Sequence, residues 1–288
     1  MKNQEYHMTD SIKDNITLII LTFNEADNIL KALDSLVGRF SQVMVVDSFS
    51  SDKTIELIES NYKNVVTRKN KFITYKQQRL WAVENDPFNN DWIFFLDADE
   101  CVTQKLFDEI VDLDGKVNGY EIYYEFYFLG KRIKHGSYGR NYILRLFRKD
   151  AFRISRDMNE HIFVQGDTVR LKNPFIHQDN KPLHNWFSKH IDYAEREALE
   201  LVNPSENKKS SLFGSQAEKK RWIRSNIWNK LPVLIRPILY FFYRFILRFG
   251  FLDGVRGLIF HFFHSFIYYF IIDSLFLEKK YVRNNRIN

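Results

Sequence analysis

The sequence predicts an α/β protein with a Rossmann-like, mostly parallel sheet, a more antiparallel second half and amphipathic helices at its C-terminal end. Two observations support this fold class. Apolar runs alternate with segments of helical periodicity from residue 16 to residue 97, and alternating aromatic residues follow residue 119. Strands that alternate with helices are typical of a parallel sheet. The chain has 288 residues, of which 45% are hydrophobic, so it can bury a substantial core.

The first half of the chain predicts four strands separated by three helices. The strands are the apolar runs ITLIILT (16–22), QVMVVD (42–47), NVVT (64–67) and DWIFFLD (91–97). Asn24 is a suitable cap for a helix that ends near residue 37, Ser51 or Asp52 begins a second helix, and Tyr75–Glu84 forms the third. This half, about residues 15–115, is expected to hold a nucleotide-like ligand.

The second half changes character after Gly119. The segments GYEIYYEFYFLG (119–130), YILRLFR (142–148) and VRLKNPFIH (169–177) predict strands of an antiparallel region, and a helix is predicted over 183–202. We therefore expect one domain over residues 1–203, whose second half, about 116–203, receives a second substrate. A basic linker and an aromatic helical tail are expected over 204–288.

Polar side chains follow three of the predicted parallel strands, at residues 22–25, 47–48 and 97–99. Because the carboxyl ends of parallel strands meet at one edge of a sheet, we expect these side chains to face one crevice. Asp97 and Asp99 would point the same way on an extended backbone. Two carboxylates in that position repel each other unless a cation or another ligand is bound to them.

A cation would explain how the phosphates of a nucleotide are neutralised at this edge. The chain has neither a GxGxxG motif after the first strand nor a GxxxxGK[ST] phosphate loop. Mg²⁺ or Mn²⁺ held by Asp99, with Asp97 nearby, would supply the charge. An Asp-x-Asp pair alone is more often a solvated turn. Its position after the fourth strand, with Asp47 after the second, favours a nucleotide pocket.

Seven sequence segments carry a family resemblance. They are IILTFNEADNI, VVDSFSSDKT, KQQRLWAV, DWIFFLDADE, RLFRK, MNEH and GFLDGVRGL. In this order and spacing they resemble the family-two glycosyltransferases of the GT-A fold, and in particular those of lipopolysaccharide-core and cell-envelope polysaccharide synthesis. The resemblance implies an inverting, metal-dependent transfer of a sugar from a nucleotide-sugar to a lipid-linked or lipopolysaccharide-type acceptor. A UDP-sugar is the expected donor.

The resemblance also implies roles for single residues. The nucleotide would be bound by Thr22, Asn24, Glu25, Asp47, Ser50, Asp52, Gln78, Arg79 and Asp97. Gln78 and Arg79 match the family's Gln-Arg-Asn, with Leu80 in place of the Asn. Asp99 would bind the divalent metal directly, and His177 would complete the metal site. A hydrogen-bonded histidine without a metal is the alternative for His177.

Inverting transfer needs a base that takes the proton of the acceptor hydroxyl. Glu160 is the candidate, because Asn159-Glu160 matches the family's His-Glu with Asn in place of His. An acid on a surface loop is the alternative. Arg145 and Arg148 are expected either to hold a diphosphate or an anionic acceptor or to lie on a solvated strand face.

The basic residues are concentrated near the C-terminal end, where residues 204–256 contain eleven Lys/Arg and three acids. Arg236, Arg244 and Arg248 fall on one side of a helix at about 100° per residue. This pattern predicts a helix in the membrane interface, and the anionic membrane surface is expected to contact residues 222–277. His261 and His264 fall on the same side as Asp253. Helices packed within the protein, a homo-oligomer interface and a transmembrane hairpin are the alternatives.

The remaining features predict a cytoplasmic protein that is peripheral at the inner face of the plasma membrane. The chain has a single cysteine, Cys101, and its first residues lack the apolar stretch of a secretory signal. Nucleic acid is not an expected partner, because the basic residues are embedded in apolar runs and no nucleic-acid-binding motif is present. A non-catalytic membrane adaptor and a sugar-nucleotide nucleotidyltransferase are the alternative functions.

Overall fold

The computed structural model describes residues 12–155, 161–202, 222–223, 225–226 and 228–285. The chain divides into two compact units. The first contains the described residues up to Gly130 together with Arg140–Asn180, and the second contains Lys131–Gly139 and the described residues from Lys181 onward.

The strands of the described chain are numbered in chain order. They are β1 (Ile16–Thr22), β2 (Val43–Asp47), β3 (Val65–Lys69), β4 (Trp92–Asp97), β5 (Glu100–Val102), β6 (Gly119–Phe128), β7 (Lys131–Arg132), β8 (Tyr142–Arg148), β9 (Phe152–Ser155), β10 (His161–Val164), β11 (Thr168–Arg170) and β12 (Phe175–Gln178). All except β7 belong to the first unit.

The first unit is built on a mixed sheet with the strand order β3-β2-β1-β4-β8-β6-β12-β5. The strands β3, β2, β1 and β4 are parallel, whereas β8 is antiparallel to both β4 and β6. The parallel strands are connected by helices α1 (Ile29–Asp34), α2 (Thr54–Asn61) and α3 (Tyr75–Glu84), and α4 (Gln104–Val111) follows β5. The predicted α/β class, with a parallel first half and a more antiparallel second half, is confirmed, although β11 and β12 pair in parallel with β6.

Strands β1 and β4 are continuously apolar, as is typical of strands in a sheet that is covered on both faces. On one face, Leu18 and Ile20 pack in a buried cluster with Leu33 of α1. On the other face, Ile19 packs in a second buried cluster with Ala82 of α3. A rigid two-sided core therefore fixes the positions at which the parallel strands end.

Three local predictions differ from the structure. The first helix begins at Ile29 and not at Asn24, because Asn24 has a φ of +54° and lies in a turn. The second helix begins at Thr54 and not at Ser51 or Asp52. The segment predicted as one strand over 169–177 forms two short strands, β11 and β12, which both pair with β6.

The second unit is helical apart from β7. It contains α5 (Leu183–Val202), α6 (Arg236–Phe242), α7 (Gly254–His261) and α8 (Tyr268–Asn285). Shorter 3-10 or π-helical segments are Trp228–Lys230, Tyr243–Leu247, Gly250–Asp253 and Phe262–Ile267. Helix α5 packs along α8, and Ala194 and Ile272 are buried between them. The compact units divide the chain before α5, and the domain boundary predicted at residue 203 stays a prediction.

The arginine stripe predicted for the tail is wrong for two of its three members. Arg236 is buried and forms an ion pair with Asp273, at 2.8 Å from Nε to Oδ1. Arg244 is also buried, and its Nε donates to the carbonyl oxygen of Gly136 at 2.7 Å. Only Arg248 of the three is exposed. The helical periodicity placed these cations on one side, but Arg236 and Arg244 face the interior of the unit.

One helical stretch in the described part of the chain, Gly250–Val282, is long and apolar enough to cross a membrane, with a mean hydropathy of 1.4. The core helix of a soluble protein meets the same criteria of length and composition.

Candidate functional site

The ends of β1, β2 and β4 lie side by side at one edge of the sheet. Thr22 is opposite Asp47, and Leu21 is opposite Asp97. The polar residues after these strands therefore converge, as the sequence predicted. Thr22 is buried, and its hydroxyl has no hydrogen-bond partner within the described residues.

The loops after β1 and β2 are bonded to each other. The backbone N–H of Asn24 donates to the hydroxyl of Ser50 at 2.8 Å, and the side-chain oxygen of Asn24 accepts from the N–H of Ser51 at 2.8 Å. Asn tolerates the positive φ found here, because its short polar side chain bonds to nearby backbone groups. Asn24 therefore shapes the crevice through the turn that it adopts.

Two acids hold the loop after β2. The fully buried carboxylate of Asp47 accepts from the N–H of Ser50 at 3.0 Å and from the hydroxyl of the same residue. Asp52 accepts from the N–H groups of Ala26, at 3.1 Å, and Thr54, at 3.0 Å. Both acids thus form the wall of the crevice, and contact of Asp47 with a base stays a prediction.

Gln78 is buried in the wall of the site. Its amide nitrogen donates to the hydroxyl of Ser48 at 3.1 Å, and its amide oxygen accepts from the side chain of Asn70 at 2.8 Å. Gln78 therefore connects the loops that follow β2 and β3. The neighbouring Leu80 packs against the apolar cluster on this face of the sheet.

Asn28 links two ends of the crevice and was not predicted from the sequence. Its amide nitrogen donates to Glu25 at 2.7 Å and to Asp179 at 2.9 Å. Its amide oxygen accepts from the backbone N–H of Asn180 at 2.7 Å. The turn after β1 is therefore tied to the residues after β12, where His177 lies.

Asp97 lies between two arginines. Arg79 approaches one carboxylate oxygen at 3.3 Å and Arg145 approaches the other at 2.9 Å. Arg145 also bonds to Glu100 at 2.6 Å, and Glu100 accepts from the backbone N–H of Asp97 at 2.9 Å. Both arginines and Glu100 are buried. The charge of Asp97 is thus already compensated by protein groups.

The pKa shifts agree with this geometry. Burial raises the pKa of Asp97, but Arg145 and Arg79 outweigh burial and hold that pKa well below its usual range. Burial raises the pKa of Glu100 to about 7, although Arg145 opposes the shift. Arg145 is therefore a buried cation among acids, so the expectation of a solvated strand face is wrong for it, and binding of a diphosphate or an anionic acceptor stays a prediction. Arg148 is bound to Asp150 at 3.2 Å.

Asp99 and His177 form the second half of the acidic cluster. Nε2 of His177 lies 3.4 Å from Asp99, and the pairing of β12 with β5 sets His177 opposite Glu100. The imidazole lies beside the rings of Tyr124 and Phe126. Burial lowers the pKa of His177, but the nearby Asp99 and Glu100 raise it to about 9.

This pair fits an incomplete metal site. One carboxylate and one imidazole are adjacent, and Mg²⁺ commonly binds only one or two protein carboxylates together with substrate phosphates. Within the described residues, no three His, Cys, Asp or Glu side chains are arranged to hold a metal without a substrate. The predicted pairing of Asp99 with His177 is therefore geometrically sound, and metal binding itself stays a prediction.

Two exposed aromatic residues at this edge were missed. Phe23 follows β1 and Phe49 follows β2, and each exposes more than half of its surface. Phe49 has a φ of +63°, which is uncommon for a bulky side chain. The signal in the sequence was an aromatic residue one or two positions after each polar strand end. Glu160, the predicted base, lies outside the described residues.

Fold and site together define an α/β transferase of the GT-A type. The chain belongs to glycosyl transferase family 2, because the family model matches residues 17–172, more than half of the chain. The predicted family is therefore confirmed, and the resemblance to enzymes of lipopolysaccharide-core synthesis stays a prediction.

Individual relatives are similar over different lengths. An uncharacterized glycosyltransferase of Rickettsia bellii is 37% identical over 103 residues, which are 36% of this chain and 34% of the relative. A second, from Rickettsia typhi, is 24% identical over 222 residues, 72% of this chain and 74% of the relative. The match thus spans about a third of the first relative's length. TarS of S. aureus, solved with UDP-GlcNAc, is 12% identical with a TM-score of 0.43, over 92% of each chain.

Proposed function

We propose that the protein is an inverting, metal-dependent glycosyltransferase that moves a sugar from a UDP-sugar to a lipid-linked or lipopolysaccharide-type acceptor. The observation that carries this proposal is the Asp99–His177 pair beside the convergent ends of β1, β2 and β4. Membership of glycosyl transferase family 2 supports the reaction class. The protein would act as a peripheral enzyme at the inner face of the plasma membrane.

The nucleotide would lie across the loops after β1 and β2. The exposed rings of Phe23 and Phe49 support a stacking contact with the base, because aromatic side chains bind bases through their faces. The loop network of Asn24, Ser50 and Asp47 would keep this surface rigid. Mn²⁺ or Mg²⁺ would be held by Asp99 and His177, and when bound it would stabilise negative charge on the leaving diphosphate.

The transfer would proceed by a single displacement. The acceptor oxygen forms a bond to the anomeric carbon as the bond from that carbon to the diphosphate breaks, and the nucleoside diphosphate leaves with the electron pair. Glu160 would take the proton of the acceptor hydroxyl. Arg145 and Arg79 would keep Asp97 ionised and fixed beside Asp99.

Product analysis tests this proposal. The purified protein would be incubated with radiolabelled UDP-sugars and a lipid extract of cell envelopes, with Mn²⁺ or with EDTA. We expect label in the lipid fraction only with Mn²⁺, opposite anomeric configuration in the product, and loss of transfer in Glu160→Gln. A membrane adaptor would give no transfer with any donor, and a nucleotidyltransferase would release pyrophosphate from a nucleoside triphosphate.

A further inference from the structure

A hairpin in the second unit has an apolar outside and a polar inside. This apolar hairpin, residues 242–256, runs from the end of α6 through Tyr243–Leu247 and Gly250–Asp253 into α7. Leu247 and Val255 expose 68% and 73% of their surface. Other exposed apolar side chains are Ile246, Phe249, Phe251 and Leu252.

The buried charges of the apolar hairpin have partners within the second unit. Arg244 donates to the carbonyl oxygen of Gly136 at 2.7 Å and lies 4.7 Å from the ring centre of Tyr138. The carboxylate of Asp253 accepts from the backbone N–H groups of Lys134, at 3.1 Å, and His135, at 2.9 Å. The imidazole of His135 bonds to the same carboxylate at 2.9 Å. Arg244 and Asp253 therefore make their polar contacts inside the unit, and neither side chain needs hydration at the outer surface of the apolar hairpin.

Backbone groups at the turn are also bonded. The carbonyl oxygen of Arg248 accepts from the N–H of Gly136 at 2.9 Å, and the N–H of Arg248 donates to the carbonyl oxygen of Tyr243 at 2.9 Å. The N–H of Leu252 donates to Phe249 at 3.0 Å. Satisfied backbone groups are what a segment needs before it can enter a hydrocarbon environment.

The exposed charges of the apolar hairpin have one sign. Arg248 and Arg256 are exposed, whereas the acid in this segment, Asp253, is buried. Long basic side chains extend from an apolar surface to anionic or zwitterionic headgroups. Protein interfaces, in contrast, combine an apolar core with a polar rim and about one hydrogen bond per 100–200 Å². The charge pattern thus matches a lipid surface better than a protein partner.

We propose that the apolar hairpin inserts into the interfacial region of a lipid bilayer, with its leucines and phenylalanines among the acyl chains and with Arg248 and Arg256 at the headgroups. The inference rests on the proposed function, because it names the segment that would hold the enzyme at the membrane. In this proposal the membrane is bound by inserted apolar side chains, and not by the arginine stripe that the sequence predicted. Binding should therefore persist on neutral vesicles and at high salt.

Vesicle sedimentation of the full chain tests insertion. The triple variant Leu247→Ser, Phe251→Ser, Leu252→Ser is compared with the wild type on phosphatidylcholine vesicles, with and without phosphatidylglycerol. The matched control is Ile191→Ser, Leu199→Ser, which removes exposed apolar side chains from α5. We expect wild type and control to bind both kinds of vesicle, and the triple variant to bind at least about tenfold more weakly.

Circular dichroism and UDP binding with Mn²⁺ are measured on the same samples, so that a folding defect and a failure of the proposed function are each recognised separately. Equal binding of the triple variant and the wild type would overturn the proposal. So would wild-type binding that requires phosphatidylglycerol and disappears at high salt. A wild-type dimer that the triple variant converts to a monomer, without vesicle binding by either, would make the apolar hairpin an interface between copies.

Discussion

Arg145 compensates two acids in the centre of the candidate site. Its guanidinium lies 2.9 Å from Asp97 and 2.6 Å from Glu100. Arg145 and Glu100 are buried, and Asp97 is half-buried. Removing one partner of a buried ion pair is costly, because the remaining charge keeps its desolvation penalty. Arg145 therefore links the stability of the sheet to the charge state of the site.

We expect Arg145→Met to lower the free energy of unfolding by about 3–5 kcal/mol, since Glu100 and Asp97 lose their shared cation. Urea denaturation measures the change. The double variant Arg145→Met, Glu100→Gln should recover part of the loss, because it removes one of the uncompensated acids. Strictly additive effects of the two substitutions would show that the ion pair is energetically unimportant.

The acids of the site could be predicted at the residue scale, whereas their partners could not. Asp97 and Asp99 follow an apolar run that ends at the binding edge of the sheet, which is a local property. Arg145 lies on β8, and the antiparallel pairing of β8 with β4 brings it to Asp97. Asn28 was missed for the same reason, because its partners at 179 and 180 are distant in the sequence.

At the scale of elements, the turn after β1 and the end of β12 form one connected structure. Asn28 bonds to both, and this link keeps the predicted nucleotide loop at a fixed distance from His177. A substitution here should affect ligand binding through the positions of these elements.

We expect Asn28→Ala to weaken UDP binding by about tenfold, because the loss of buried hydrogen bonds costs about 1–3 kcal/mol and loosens the site. The matched control is Asn90→Ala, which removes a bonded amide just before β4, at the opposite end of that strand. Calorimetry compares the two variants. If both change the affinity equally, the effect belongs to general stability and not to the site.

The buried pair of Arg236 and Asp273 connects α6 to α8 within the second unit. We expect Asp273→Asn to lower the free energy of unfolding of this unit by about 3–5 kcal/mol, because Arg236 keeps a buried charge without a counter-ion. Thermal unfolding followed by circular dichroism provides the measurement. The exposed ion pair of Lys279 and Glu195 offers a control, since Glu195→Gln should change stability by no more than about 1 kcal/mol.

At the scale of the whole molecule, helices and strands could be predicted from the sequence where the hydrophobic periodicity was compatible with only one kind of element. Strand β1, helix α3 and helix α5 have the predicted bounds; β1 is an almost continuously buried run, and Thr74 caps α3 by accepting from the N–H of Gln77. The tail was harder to predict. Its helical period placed the arginines on one side, but a period cannot tell whether that side faces lipid or the interior of the unit.

The measurement that tests the central claim most directly is calorimetric titration of the wild type and of Asp99→Ala with UDP, GDP and CDP, each with Mn²⁺ and with EDTA. We predict that UDP binds the wild type with Mn²⁺ and that EDTA or Asp99→Ala weakens this binding at least about tenfold. Asp112→Ala, an exposed aspartate at the end of α4, should behave as wild type. UDP binding that is the same with EDTA and in Asp99→Ala would contradict the metal site, and no binding of any nucleotide would contradict the proposed enzyme.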